Sequence, residues 1–259
     1  MNNKPIGVFD SGIGGLTVLK KIIKVLPNEK YIYYADTDNV PYGTKPKEDV
    51  KKYVKEAVEF LIKNNVKVIV IACNTATSIA IKDLRNEYSL PIIGIEPAVK
   101  PAIENRCNKK VLVMATPITI REEKLHNLVN GLNAESNVDL IAMPKLVEFA
   151  EAGEFDSNKV TEYLISQLKD FDLEKYSELV LGCTHFPFFK EEIRNVISRY
   201  TYSKEFISGN GNLVLFFDGD MKDNAIQIKD VLANTLSLIV NVDYYAITNE
   251  YIINIPINK

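Results

Sequence analysis

The chain has 259 residues, 46% hydrophobic and 25% charged, with 31 Lys and Arg against 34 Asp and Glu and a formal net charge of −3. That balance excludes the electrostatic footprint of a nucleic-acid binder, and the basic residues are scattered among acidic ones as on a solvated surface. No apolar run approaches the roughly 20 residues that span a bilayer, and Met1–Pro5 leads straight into a strand without a signal peptide's apolar region, so a cytoplasmic protein with no membrane partner is expected.

Apolar β-type runs alternate with helical periodicity. Ile6-Gly7-Val8-Phe9 leads through a Gly-rich turn into the helical stretch Leu16–Val25, and Tyr31-Ile32-Tyr33-Tyr34 precedes a polar loop. Val50, Tyr53, Val54, Ala57, Val58 and Leu61 then follow the i, i+3, i+4, i+7 stripe of an amphipathic helix. Val66–Ala72 is apolar but for Lys67, as suits a parallel strand covered on both faces, and Pro91–Ile95 predicts another strand. After Pro97–Pro101 a second round begins, with strands expected at Lys110–Ala115, Leu140–Met143 and Leu179–Leu181. Strands alternating with helices predict an α/β fold built from βαβ units with right-handed crossovers. In the tail, Leu213–Phe217 is apolar, Asn224–Leu236 is compatible with a helix, and Leu238–Ile255 suggests a two-stranded ribbon turning near Thr248-Asn249-Glu250.

The two rounds resemble each other. Val68–Thr75 matches Glu178–His185, and Val8–Ser11 matches Val113–Thr116. A repeat of about 110 positions implies duplicated domains, since solenoid periods are shorter. Any two βα units share an apolar strand, but the shared Cys-plus-hydroxyl endings favour duplication. The domains expected are 1–96 plus 210–259, carrying Asp10 and Cys73, and 97–209, carrying Cys183 and His185.

In an open α/β sheet, ligands bind beyond the carboxyl ends of the strands. Four such ends carry small hydrogen-bonding residues: Asp10-Ser11-Gly12, Cys73-Asn74-Thr75, Thr116, and Cys183-Thr184-His185. A helix is expected after each, and helix N-termini attract carboxylates and lower the pKa of a thiol. A lone cysteine after a strand is more often a small buried hydrophobe. Two at equivalent points of a repeat point instead to paired thiol chemistry, with Asp10 beside Cys73 and His185 beside Cys183 to orient each thiol or take its proton. A metal needs several ligands, and His126 lies in an unrelated segment, so no metal is expected. Cys107, among Asn and Lys, is expected on a surface turn, inert. Gly12-Ile13-Gly14-Gly15 lacks the spacing of a phosphate loop. A Cys-His hydrolase would use one thiol and leave the second unexplained.

Four motifs together resemble the glutamate racemase family: Val8–Thr17, Pro41-Tyr42-Gly43, Ala72–Thr77 and Leu181–Pro187. The resemblance runs from about residue 5 to about residue 210 in an order and spacing that fit. It implies two flavodoxin-like doubly wound domains related by pseudo-symmetry, with the active site in the cleft between them and no pyridoxal phosphate, metal or nucleotide cofactor. It further implies interconversion of L- and D-glutamate for peptidoglycan synthesis by a cytoplasmic homodimer. By motif position, Cys73 would remove the α-proton of D-glutamate and Cys183 that of L-glutamate, assisted by Asp10 and His185. Ser11, Pro41, Tyr42, Gly43, Asn74, Thr75, Thr116 and Thr184, with Asp10 and His185, would hold the substrate. Glu151 falls where the family has a helper carboxylate, though its position also suits a solvated helix residue. The chain departs from the family's usual pattern at Asn39, where Arg is frequent, at Met143, where Cys is frequent, and at Glu148, where Pro is frequent.

Overall fold

A computed structural model describes residues 4–200 and the strands Val214–Phe217, Tyr245–Thr248 and Tyr251–Asn254. The expected helix at 224–236 lies outside the described residues. The chain divides into two compact units, one ending at Glu96 and resuming at Gly219, the other running from Pro97 to Asp218.

In the first unit, β1 (Ile6–Asp10) is buried at all five positions because parallel neighbours flank it and helices cover it. It pairs in parallel with β2 (Tyr31–Ala35) on one side and β3 (Val68–Ile71) on the other, and β4 (Ile92–Gly94) extends the sheet beyond β3. The ribbon strands β9 (Tyr245–Thr248) and β10 (Tyr251–Asn254) pair antiparallel, and β9 joins β2 in parallel. The sheet order is therefore β10-β9-β2-β1-β3-β4. Helix α1 (Leu16–Val25) places Val18, Leu19 and Ile22 against Ile6, Val8, Val68 and Val70. Helix α2 (Lys47–Lys63) buries the stripe Val50, Val54, Ala57, Val58 and Leu61 completely. Each of the Val and Leu side chains contributes about 1.5–3 kcal/mol of burial, and Ala57 less. At the amino ends of β2 and β3, opposite the strand ends that carry the motifs, Glu29 and Lys67 form a buried ion pair.

The second unit has the sheet order β6-β5-β7-β8, all parallel, from β5 (Lys110–Ala115), β6 (Val138–Ala142), β7 (Tyr176–Gly182) and β8 (Val214–Phe217). Counted from its own first strand, each unit reads 2-1-3-4. The resemblance between the two halves of the sequence thus extends to strand order, the flavodoxin-like order in both. Helix α4 (Val99–Asn105) and helix α6 (Glu123–Gly131) bury Val99, Ala102, Leu125 and Val129 against Val111, Val113 and Val180.

One expectation is corrected. The second unit extends past residue 209, because Val-Leu-Phe-Phe at 214–217 completes its sheet beside β7. As expected, a Gly-rich turn of five residues leads from Asp10 into α1, and a helix (Lys190–Tyr200) follows Cys183, after a 3-10 turn (Phe186–Phe189). Among the described residues no helix is long and apolar enough to cross a membrane.

Candidate active site

In a sheet of order 2-1-3-4 the chain leaves the first and third strands in opposite directions, opening a crevice at their carboxyl ends. Asp10 and Cys73 stand at that switch point in the first unit, at the end of β1 and just past β3. Thr116 and Cys183 stand at the corresponding point of the second unit, where Ala115 pairs with Gly182 across β5 and β7.

Asp10 is fully buried, and its Oδ1 accepts from Gly12 N at 3.0 Å. The Gly-rich turn is there for close packing. A Cβ on Gly15 would lie 2.4 Å from Asp10 Cβ and 2.7 Å from the Tyr33 hydroxyl, which itself donates to Gly12 O at 2.6 Å. Cys73 caps helix α3 (Asn74–Glu87), its Sγ accepting from Ala76 N at 3.5 Å and lying 3.7 Å from Ser11 Oγ. The sequence predicts a lowered thiol pKa at this helix start; the structure gives the opposite. Burial, and then the Asp10 carboxylate, push the Cys73 thiol up to about 12, outweighing the donors from Ala76 and Ser11. Asn74 and Thr75 are buried in the first turn of α3.

Pro41 precedes a 3-10 turn (Tyr42–Thr44) in which Tyr42 and Gly43 are buried. The sequence reading missed what fixes this turn. Asp36, buried just past β2, accepts from the Tyr42 hydroxyl at 2.6 Å and from Asn39 Nδ2 at 2.9 and 3.0 Å, while its own N–H donates to Asp10 O at 3.1 Å. Burial and Asp36 push the Tyr42 phenol well above its ordinary pKa, so it stays a donor. The signal for Asp36 lay in its polar loop, where a buried acid cannot be told from a solvated one.

In the second unit Thr116 caps the short helix α5 (Pro117–Arg121), accepting from Thr119 N at 3.3 Å. Cys183, Thr184 and His185 are all buried. His185 Nδ1 lies 3.7 Å from Cys183 Sγ and 3.4 Å from Thr184 Oγ1, and its Nε2 is 2.5 Å from Glu151 Oε1. Glu151, the last residue of helix α7 (Pro144–Glu151), is therefore not a solvated glutamate but the far end of a thiol–imidazole–carboxylate chain. The Glu-for-Pro and Met-for-Cys departures leave that contact in place: Glu148 is exposed on α7, and Met143 is buried just before it. Cys107 is exposed, at a left-handed turn with φ 45°. Among the described residues no three His, Cys, Asp or Glu side chains gather where they could hold a metal ion.

The Asp/Glu/Hydantoin racemase model matches residues 6–211. The chain belongs to this family. It is thus an amino-acid racemase, an isomerase. The chain is 56% identical over 209 residues to a glutamate racemase of Halothermothrix orenii, covering 81% of each chain. It superposes with a TM-score of 0.80 and 30% identity on the crystal structure of a glutamate racemase isoform of Bacillus anthracis, over 95% of this chain and 88% of that one. A glutamate racemase of Francisella tularensis, crystallised with D-glutamate, gives a TM-score of 0.76 at 29% identity, over 95% of this chain and 89% of that one. Within this racemase, Asn39 grips Asp36 with a neutral amide.

Proposed function

We propose that this racemase interconverts L- and D-glutamate through two thiols, without a cofactor, and supplies D-glutamate for peptidoglycan in the cytoplasm as a homodimer. The observation that carries the two-thiol reading is the placement of Cys73 and Cys183 at the same switch point of two sheets with the same strand order. Glutamate as substrate is supported by the activities named for its relatives and by D-glutamate bound in the Francisella protein. Two domains go with this reading, residues 1–96 with the ribbon strands and 97–218.

Racemisation removes the α-proton from one face and returns a proton to the other. A single base would need the planar intermediate to turn over in the site, whereas two opposed groups, one thiolate and one thiol, need no such motion. In the L-to-D direction the Cys183 thiolate takes the α-proton, and the Cys73 thiol gives its proton to the opposite face. Cys73 begins this direction in the protonated form that its burial and Asp10 favour. In the return direction the roles reverse. Asp10 then serves as the proton acceptor that makes a thiolate at Cys73 possible, and His185, steadied by Glu151, does the same for Cys183. Charge developing at the α-carboxylate is met by N–H and hydroxyl donors around Ser11, Asn74, Thr75, Thr116 and Thr184 together with the Pro41-Tyr42-Gly43 turn.

The test is circular dichroism of L-glutamate with purified protein and no added cofactor. Ellipticity should decay to zero without net consumption of glutamate, and in D₂O the early label should appear in the product of opposite hand. Cys73→Ser and Cys183→Ser should each abolish racemisation, since a serine hydroxyl is a far poorer acid. Consumption of glutamate would instead indicate a single-thiol hydrolase or lyase built on Cys183, His185 and Glu151. Normal racemisation by either variant would sink the paired-thiol mechanism.

A further inference from the structure

Asn74, next to Cys73, is only half satisfied. Its Nδ2 donates to Ile95 O at 3.4 Å, and its buried Oδ1 has no hydrogen-bond partner among the described residues. A bond that long lies at the weak end of the range and fails if either end moves a few tenths of an ångström. The orientation of the Asn74 carboxamide therefore depends on where the Ile95 carbonyl is held. Ile95 lies just beyond β4, outside any helix or strand, so its position is set by what grips it.

Thr77 is that grip. It sits one turn along α3 from Asn74 and is 1% exposed. Its Oγ1 accepts from Ile95 N at 3.2 Å and donates to Ile71 O at 3.3 Å, the carbonyl to which Ile95 N also donates at 3.1 Å. Ile95 is thus held at its N–H by Thr77 together with the Ile71 carbonyl, and at its carbonyl by Asn74, with Thr77 and Asn74 one turn apart on the same helix. The contact is close: a Cβ on Gly94 would lie 2.6 Å from Thr77 Cγ2, so residue 94 must lack a side chain for α3 to come this near.

We propose that Thr77 is a positioning residue for racemisation: acting through Ile95, it fixes the anchor that orients the Asn74 carboxamide toward the substrate. The inference rests on the glutamate-racemase reading above. Its rival is a purely structural staple between α3 and the sheet, which would affect stability alone.

The experiment compares Thr77→Val, isosteric but unable to make either bond, with Thr77→Ser, which keeps the hydroxyl, and with Asn74→Ala and the Thr77→Val/Asn74→Ala pair. Thr77→Val should raise KM for both enantiomers about 5- to 10-fold with kcat within about twofold, and serine should stay within about twofold of the parent. In the Asn74→Ala background Thr77→Val should add less than about twofold to KM, because the two side chains act as one unit. Gly94→Ala, which pushes on Thr77 while leaving its hydroxyl, gives an independent reading should Thr77→Val not fold, and it should raise KM in the same way. A lowered melting temperature with unchanged KM, or KM effects that multiply in the pair, would overturn the inference while leaving the glutamate reading intact. A parent enzyme that leaves both enantiomers of glutamate unchanged would overturn both.

Discussion

Replacing Glu178 by glutamine isolates the cost of a charge in the second unit's sheet. Glu178 lies in β7, paired with Val111 on β5 and Val214 on β8. It is 2% exposed, and its Oε2 has no hydrogen-bond partner among the described residues. Burial pushes its carboxyl from 4.5 up to about 7. At about 1.36 kcal/mol per pH unit, that rise amounts to about 3 kcal/mol. The sign follows from which state binds the proton. Below pH 4.5 the acid is protonated folded and unfolded, and nothing is lost. Between 4.5 and 7 the unfolded chain ionises while the folded one holds its proton, so stability falls as pH rises, and the full loss is reached above 7. Glutamine is neutral throughout. Glu178→Gln should therefore raise the urea midpoint at pH 8 relative to the parent by up to about 1 M more than at pH 4.5, for a denaturant slope near 3 kcal/mol per M. The unpaired amide it leaves costs the same at both pH values and cancels in that comparison. Equal differences at the two pH values would refute the claim that ionisation of a buried carboxyl is what destabilises the parent.

Gly15→Ala should lower stability by about 1–3 kcal/mol, as overpacking does, and reduce kcat/KM at least about tenfold by displacing Asp10; melting curves and racemisation rates check both, and a variant indistinguishable from the parent would contradict the packing described. Glu151→Gln should cut kcat at least about tenfold in the L-to-D direction with little change in melting temperature, because His185 loses its carboxylate partner; full activity would return Glu151 to the solvated surface. Lys67→Met should cost about 3–5 kcal/mol by leaving Glu29 buried and unpaired, and Lys67→Met with Glu29→Leu should recover most of it in urea titrations. Equal losses in the single and double variants would count against a buried pair.

What the sequence revealed was local and periodic. Helix α1 occupies the residues its pattern predicted, and the stripe from Val50 to Leu61 is the buried face of α2. The strand ends that carry chemistry were legible because small polar residues after an apolar run have few other reasons to be there. Strand order was not, since nothing in the local pattern of Val68–Ile71 says that it lies beside β1. Contacts across long separations were equally hidden: Glu29 with Lys67, Thr77 with Ile95, Glu151 with His185. Glu178 escaped notice because the strand was read from its apolar core, Leu179–Leu181, outward. The protonation of Cys73 was misjudged for a related reason. A helix start is visible in sequence, but the burial and the neighbouring carboxylate that outweigh it are properties of the folded chain.

The repeated strand order has a bearing on how such an enzyme can be improved. A half-length chain that paired with a copy of itself could offer only two identical thiols in identical surroundings. On the two-thiol reading proposed above, any change that favoured proton removal on one face would favour it equally on the other. With both halves on one polypeptide, each neighbourhood can be altered alone, and here they have diverged: a carboxylate and a serine beside Cys73, an imidazole backed by a glutamate beside Cys183. The position matching Asp10 in the second half is Ala115, and the one matching His185 in the first is Thr75. Forward and reverse rates are still bound by the equilibrium between mirror-image molecules, but the enzyme's resting form, its pH response and its reactivity toward thiol reagents are free to be lopsided.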